Sequence, residues 1–409
     1  MMRKHKGYPV YPLTVAQKFH LFYLPYCPSA AVMNIGTRLT IQSEIDWDLL
    51  KQSIYQAYDR CEGMRVRFAK DKDGTYYQYV VDKEERDIEF VDFSQGTLEE
   101  ADKVMQQWTT VPFPMEDAPL TRVVMISLPD GFNGVYFLGH HMIVDAQSLI
   151  GFLKDIIELY CSQKYEGVPA PKEIESSEHI YNGMKGTDKL EAARQMFQNP
   201  NLRTAFNASG DTTSALDIFH LEGEPTQRLM NFCEEYHVSL VCLLLMGMRT
   251  YFQKVNGHDD VSINNAIARR ATLKEKKSGG TRIHSFPFRT CFSQDMKFID
   301  AIYAIRNKQN EYFRHANYDP TAYFAYRAKT YPQPHAGLTY EPISLTYQPL
   351  TLKEKGLDQL GDIRYTTKWY PNGMTPQAVY LTVMHRPEDN GLDFNFEHQV
   401  KAFSREELE

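Results

Sequence analysis

The sequence contains no CxxC pair, and its six cysteines, at 27, 61, 161, 233, 242 and 291, are scattered along 409 residues. That spacing excludes both a zinc site built on paired cysteines and a disulfide framework. Cys242 lies in the apolar run Ser239-Leu-Val-Cys-Leu-Leu-Leu-Met and reads as a small buried hydrophobe. A reducing cytoplasm is the expected setting. No apolar run approaches the roughly 20 residues that a membrane span requires. The opening Met-Met-Arg-Lys-His-Lys-Gly is basic but lacks the apolar region of a secretory signal. An excess of basic charge is also missing. The formal net charge is −7, which argues against nucleic acid as a partner, because phosphate neutralisation needs a basic face. GxSxG, Walker and GxGxxG patterns are absent, which removes the usual hydrolase elbow and the common nucleotide loops.

What is present is an ordinary globular balance, 43% apolar and 24% charged, in a chain too long for one compact core and suited to two domains. Strand and helix signals alternate in the first half. Thr14 and Gln17 stand at capping-box spacing. Ile35, Thr37, Leu39 and Ile41 predict a strand, and a helix follows from about Trp47 to Tyr58. Met64, Val66 and Phe68 alternate again, and Asp73-Gly74 turns the chain into a tyrosine-rich strand over 75–81. A hairpin is predicted to join 121–128 to 134–139. After it, Leu149, Phe152, Leu153, Ile156 and Tyr160 mark an amphipathic helix. The stretch 164–215 reads as a linker. Beyond it, helices are expected near 225–236, 239–255 and 297–315, and strands near 259–265, 342–348, 378–385 and 391–397. Ser404 and Glu407 form a capping box just as the sequence ends, so the chain is expected to be an excised piece of a longer polypeptide, its Leu-Glu end possible as a cloning remnant.

One dense polar cluster stands out, Gly139-His140-His141-Met142-Ile143-Val144-Asp145-Ala146, between the strand ending at Gly139 and the helix beginning near Ala146. A loop held by rigid elements on both sides is a good platform for chemistry. Each residue also has a plainer reading. Asp145 before a helix is a good N-cap whatever else it does, and a core histidine is usually a hydrogen-bonded structural one. Two adjacent histidines at the end of a strand point to opposite faces, so one can be buried while the other meets a cleft. Metal binding would need Asp145 as third ligand and lacks HExxH spacing, so no metal is expected. Arg269-Arg270 could bind an anion, though a solvated arginine pair is the commoner case.

The cluster resembles the HHxxxDG signature of the condensation domains of nonribosomal peptide synthetases and of the wider superfamily of thioester-dependent acyltransferases. Pro12-Leu-Thr-Val-Ala-Gln17 resembles that family's opening Leu-Ser-x-x-Gln motif, and Arg60-Cys-Glu-Gly-Met-Arg-Val-Arg-Phe68 its RHExLRTxF motif. Ser148 falls where the family usually has serine. The stretches 264–270, 280–290 and 392–403 resemble later family segments, in the right order and over nearly the whole chain. Ala146 replaces the usual Gly, Cys61 the usual His, Met64 the usual Leu and Val66 the usual Thr, and residues 285–290 match poorly.

The resemblance implies a mixed α/β fold of two chloramphenicol-acetyltransferase-like lobes, 1–175 and 176–409, forming a V with a central tunnel. It implies amide formation between a thioester-bound acyl or peptidyl donor and the amine of a carrier-bound amino acid. His141 would take a proton from the amine or hydrogen-bond the tetrahedral intermediate, with His140 supporting the loop. Asp145 would be structural and remain ionised, with Arg65 as its partner, and Ala146 would narrow the channel. No cofactor is implied beyond substrates delivered as phosphopantetheine or CoA thioesters. The partners implied are peptidyl or acyl carrier proteins, with acyl-CoA a further possible donor, in a monomer or a piece of a larger synthetase. If Met1 is the native start, the first motif, within about a dozen residues of it, favours a starter domain that N-acylates the first amino acid, with a peptide accepted from a carrier on another subunit as the other reading. The alternatives are a standalone O- or N-acyltransferase, an epimerising relative and a catalytically silent platform for a partner protein.

Overall fold

The computed structural model describes residues 3–84, 86–172, 209–257, 259–270, 272, 275–276, 279–293, 295–316, 319–330, 343–348, 365–386 and 389–408. After a short N-terminal hairpin, the first half runs α1 (Val15–Tyr23), β1 (Asn34–Gln42), α2 (Trp47–Arg60), β2 (Val66–Lys70), β3 (Tyr76–Val80), β4 (Glu89–Asp92), α3 (Leu98–Thr109), β5 (Thr121–Ser127), β6 (Phe132–His140) and α4 (Ala146–Lys164). The second half runs β7 (Ser214–Leu221), α5 (Gly223–Glu235), α6 (Leu240–Asn256), β8 (Asp260–Ile267), β9 (His284–Cys291), α7 (Phe298–Arg314), α8 (Pro320–Thr330), β10 (Ile343–Gln348), β11 (Tyr365–Tyr370), β12 (Val379–Arg386), β13 (Gly391–Gln399) and α9 (Arg405–Leu408).

Each half is organised by one large sheet, and β2 and β3 of the first half pair in a smaller one. The first large sheet has the order β11-β1-β6-β5-β4. It is covered on both faces, and the period-2 alternation of side chains decides which residue goes where. In β5, Val123 and Met125 pack on α2 and α4 with Ile54, Phe152 and Ile156. Val124 and Ile126 point the other way, onto Ala101 and Met105 of α3. Fully burying each such side chain contributes about 1.5–3 kcal/mol. The predicted hairpin closes through Asp130 and Gly131, both at positive φ, 61° and 73°, the geometry an Asp-Gly turn favours.

The second sheet has the order β7-β13-β12-β10-β8-β9. Here one face meets the helices. Ile263, Leu345, Leu381 and Val383 join Leu245 of α6 and Ile302 and Ile305 of α7. The intervening residues Asn264, Ser344, Tyr380 and Thr382 face a cavity instead. The same alternation that builds the second core therefore builds a polar cavity wall.

The strand β11 lies late in the chain yet pairs with β1 of the first sheet, Tyr370 opposite Gly36. The C-terminal half thus contributes an edge strand to the N-terminal lobe, which hydrophobic periodicity did not predict. The expected boundary at 175/176 falls outside the described residues, as does most of the expected linker. The expected helices and strands of the second half are found within a few residues of their predicted ends. α3, β4, β7, β9, α8 and β11 were not anticipated.

Candidate active site

The histidine loop is held by backbone hydrogen bonds before any side chain is considered. The His140 N–H donates to the Leu120 carbonyl at 2.9 Å and the His141 N–H to the Met33 carbonyl at 2.7 Å. The Ile143 and Val144 N–H groups return to the His140 carbonyl. Asp145 then caps α4. Its Oδ1 accepts from the Ser148 N–H at 3.0 Å, and the Ser148 hydroxyl accepts from the Asp145 N–H at 2.9 Å. Gly139 is required by close approach, since a Cβ there would lie 2.7 Å from Val144 Cγ1 and 2.8 Å from the Phe137 ring.

The two histidines separate as alternation predicts. His140 is fully buried. Its Nδ1 accepts from the Met142 N–H at 3.3 Å, while its Nε2 has no partner among the described residues. Burial, with His141 adding to it, pushes its pKa down to about 3, so it stays neutral. His141 lines a cavity of about 280 Å³. Burial lowers its pKa too, opposed by the charge of Asp145 and by the carbonyls of His141 and Val144.

The cavity lies between the halves and has two unlike walls. Phe19, Tyr23, Val32, Met33 and Ile35, with Trp369 and Tyr370 of β11, supply a largely apolar wall from the N-terminal lobe. Asn264, Ser285, Ser344, Gln348, Thr382, Asn395 and Glu397 supply a mostly polar wall from the second sheet, with Leu216, Ala266 and Met384 interspersed. Glu397 accepts a hydrogen bond from the Ser214 hydroxyl at 2.8 Å. Burial lifts its carboxyl to about 7, against the lowering effect of Ser214. Ala146 also lines the cavity, beside His141.

The expected partner of Asp145 is corrected by the structure. Arg65 does not reach Asp145. It follows the end of α2 and turns back onto that helix, where terminal carbonyls lack partners. Its Nε donates to the Tyr58 carbonyl at 2.9 Å, and its terminal nitrogens donate to the Asp59 and Asp82 carbonyls at 3.1 and 2.6 Å. The partner is Arg270, 2.6 Å from Oδ2 and 3.0 Å from Oδ1. The reading of Arg269-Arg270 as a solvated pair fails for Arg270, whose side chain is 2% exposed. The Arg282 N–H also donates to Asp145 Oδ2 at 2.9 Å. Burial alone would raise the Asp145 pKa, but Arg270 and these amide donors hold it below the ordinary carboxylate value.

The loop carrying Arg282 docks on the turn after α2. A Cβ at Gly63 would lie 2.7 Å from the Gly280 nitrogen, and one at Gly279 would lie 2.9 Å from Cys61 Sγ. Small residues on both sides permit this approach. His20 of α1 was also missed by sequence reasoning, since nothing distinguishes it within an amphipathic helix. Its ring stacks on His141, centroids 4.1 Å apart and planes 26° apart.

The family model described as Condensation domain matches residues 9–409. Surfactin synthase subunit 1 of Bacillus subtilis (strain 168) is 23% identical over 417 residues, covering 97% of this chain but 11% of that protein. The chain therefore spans a small part of the curated relatives it matches. Among solved structures, the first condensation domain of the calcium-dependent antibiotic synthetase, in complex with a substrate analogue, superposes with a TM-score of 0.78 at 17% identity, covering 98% of this chain and 93% of that one. The starter condensation domain of rhizomide synthetase, in complex with C8-CoA and Leu-SNAC, superposes with a TM-score of 0.80 at 16% identity, covering 98% and 91%.

Proposed function

The chain belongs to the condensation-domain family, acyltransferases that form amide bonds in nonribosomal peptide synthesis, and from this we propose that it joins a thioester-bound acyl group to the amine of a carrier-bound amino acid at His141. The observation that carries this reading is the position of His141 on the wall of a cavity to which both lobes contribute.

A thioester is more activated than the amide formed, so no nucleotide is needed at this step. The amine attacks the thioester carbonyl, the C–N bond forms, and a tetrahedral oxyanion results. Its collapse breaks the C–S bond, and the proton lost by the amine is delivered to the departing sulfur. A histidine whose pKa is lowered is unprotonated near neutral pH and is ready to accept that proton or to steady the attacking amine. Holding both reactants in one enclosed space contributes through orientation, up to about 7–11 kcal/mol in favourable intramolecular systems. Asp145 takes no part in the proton transfer, because both of its oxygens are engaged by Arg270 and backbone amides.

Within this activity, an acyl starter role is the finer reading. The apolar wall from α1, residues 32–35 and β11 suits a hydrocarbon donor, and the solved starter domain bound to C8-CoA shares the fold. Carrier proteins would present the acceptor, and the donor would arrive as a CoA or phosphopantetheine thioester.

The test is to incubate the protein with an acyl thioester and a carrier-bound amino acid and to follow N-acylated product by intact mass. His141→Ala should abolish product while leaving the thermal midpoint within a few degrees. Full turnover by that variant would refute the assignment. Comparing acyl-CoA, acyl-carrier and peptidyl-carrier donors decides between starter and internal roles. An alcohol acceptor preferred over the amine would indicate an ester-forming relative.

A further inference from the structure

The geometry points to His20 as a positioning residue for His141, fixing the plane of its imidazole by face-to-face stacking. This rests on His141 carrying the acyl transfer. A general base normally has its ring oriented by a third group hydrogen-bonded to the far nitrogen. Here the nearest carboxylate, Asp145, is engaged elsewhere on both oxygens. The carbonyls of its own loop lie near the His141 imidazole, and its Nδ1 makes no well-formed hydrogen bond among the described residues. The torsion that turns an imidazole about its Cβ–Cγ bond is broad, so the side chain's own rotamer preference does not set the ring plane.

A stacked neighbour does set it. The His20 ring lies 4.1 Å from that of His141 with the planes 26° apart, an arrangement that opposes rotation of either ring. His20 is itself well anchored. It is 5% exposed, its Nε2 lies 3.2 Å from the Thr281 hydroxyl, and Phe19 meets it edge-on at 5.5 Å. Thr281 neighbours Arg282, whose N–H is bound to Asp145. The chain of contacts from Asp145 through Arg282 and Thr281 to His20 therefore returns to His141 from the other side. His20 and His141 line the same cavity, so the stack stands at the wall that substrate would meet.

The experiment compares His20→Leu, which removes the aromatic face, with His20→Phe, which keeps it, using octanoyl-CoA and a leucyl thioester as probes. His20→Leu should lower kcat about tenfold with KM for either substrate nearly unchanged, a smaller loss than the roughly hundredfold that a misplacement of about 1 Å can cost. His20→Phe should recover most of it. In parallel, the ring-proton resonances of His141 in histidine-labelled protein, assigned by their loss in His141→Ala, report the stack without turnover. The face of a neighbouring ring shields them, so they should move downfield in His20→Leu and stay in place in His20→Phe. Unmoved resonances in His20→Leu, or equal losses of kcat in both variants, would overturn the proposal. If His20→Leu does not fold, Thr281→Val, which frees the His20 ring, should shift the same resonances the same way, and no shift there overturns it equally. If the wild-type protein turns over no substrate, the functional reading fails while the resonances still decide the stack.

Discussion

Asp145 and Arg270, 125 residues apart, form a two-pronged ion pair whose side chains are 3% and 2% exposed. The pair ties the loop bearing His141, in the first lobe, to the chain leaving β8 in the second. The histidine loop of the first half is thereby anchored by the second, and the cavity wall it forms depends on their staying together.

Breaking that pair from either side leaves a buried charge without a counter-charge. Asp145→Asn and Arg270→Ala should each destabilise the protein by about 3–5 kcal/mol in urea unfolding. In a double-mutant cycle the two should be strongly non-additive. Arg65→Ala should also destabilise, by roughly 1–3 kcal/mol, because it strands carbonyls at the end of α2. That effect should add to Asp145→Asn within about 0.5 kcal/mol. A large coupling energy between positions 65 and 145 would contradict the contacts described.

His140 should matter for folding and His141 for turnover. The folded pKa of His140, about 3, lies below the ordinary histidine value. A depressed histidine contributes full stability above its unfolded pKa of about 6.5, and this is lost as pH falls toward 3. His140→Ala should cost roughly 2–5 kcal/mol at pH 7 through lost packing. It should also flatten the fall in stability between pH 6.5 and 4. Calorimetric melts at several pH values check both, and an unchanged pH slope would count against a buried neutral His140.

Glu397 has the opposite linkage. Its folded pKa of about 7 is raised above the ordinary glutamate value by burial. A carboxyl of this kind favours the folded state at low pH and opposes it as pH rises toward and through 7. Glu397→Gln cannot ionise, so its melting temperature should match wild type near pH 4, below the ordinary glutamate value, and exceed it at pH 8. Equal melting temperatures at both values would place the carboxylate in ordinary water-like surroundings. Because the residue lines the cavity, a bound cationic side chain should reverse the pH 8 difference.

Much of this was legible because two periodicities carry it. The 3.6-residue repeat of α4 and the alternation in β5 and β8 are written in local runs of apolar residues, and the Asp145–Ser148 cap lies within four positions. The loop with His140 and His141 was visible for the same reason. The rest depends on long-range approach. Arg65 and Arg270 are both arginines beside strands, and only the chain path shows that one faces the end of α2 and the other the interior pair with Asp145. β11 pairs with a strand more than 300 positions away in sequence, and its residues alternate no more clearly than many loops. His20 stacks on a residue 121 positions later because the fold brings α1 against the histidine loop, a relationship with no local signature.

Ala146 offers the sharpest test of how the cavity selects its substrates. It stands where the resembling motif has glycine, it begins α4, and its methyl group faces the cavity next to His141. At the first helical position, Ala146→Gly should cost no more than about 1 kcal/mol in stability. One methyl in a close-fitting pocket is worth about 1–3 kcal/mol in discrimination, so the larger consequence should appear in selectivity. Acceptor thioesters of glycine, leucine and phenylalanine, competed against one another, should shift toward the bulkier side chains in Ala146→Gly, by about tenfold in relative kcat/KM. Ala146→Val should shift the ratio toward glycine, since its two additional methyl groups occupy the same space. The paired variants separate a steric effect from a general loss of activity, because loss alone lowers all three substrates together. A ratio unmoved in both directions would mean that the methyl does not border the acceptor's path and that selection is made elsewhere on the cavity wall.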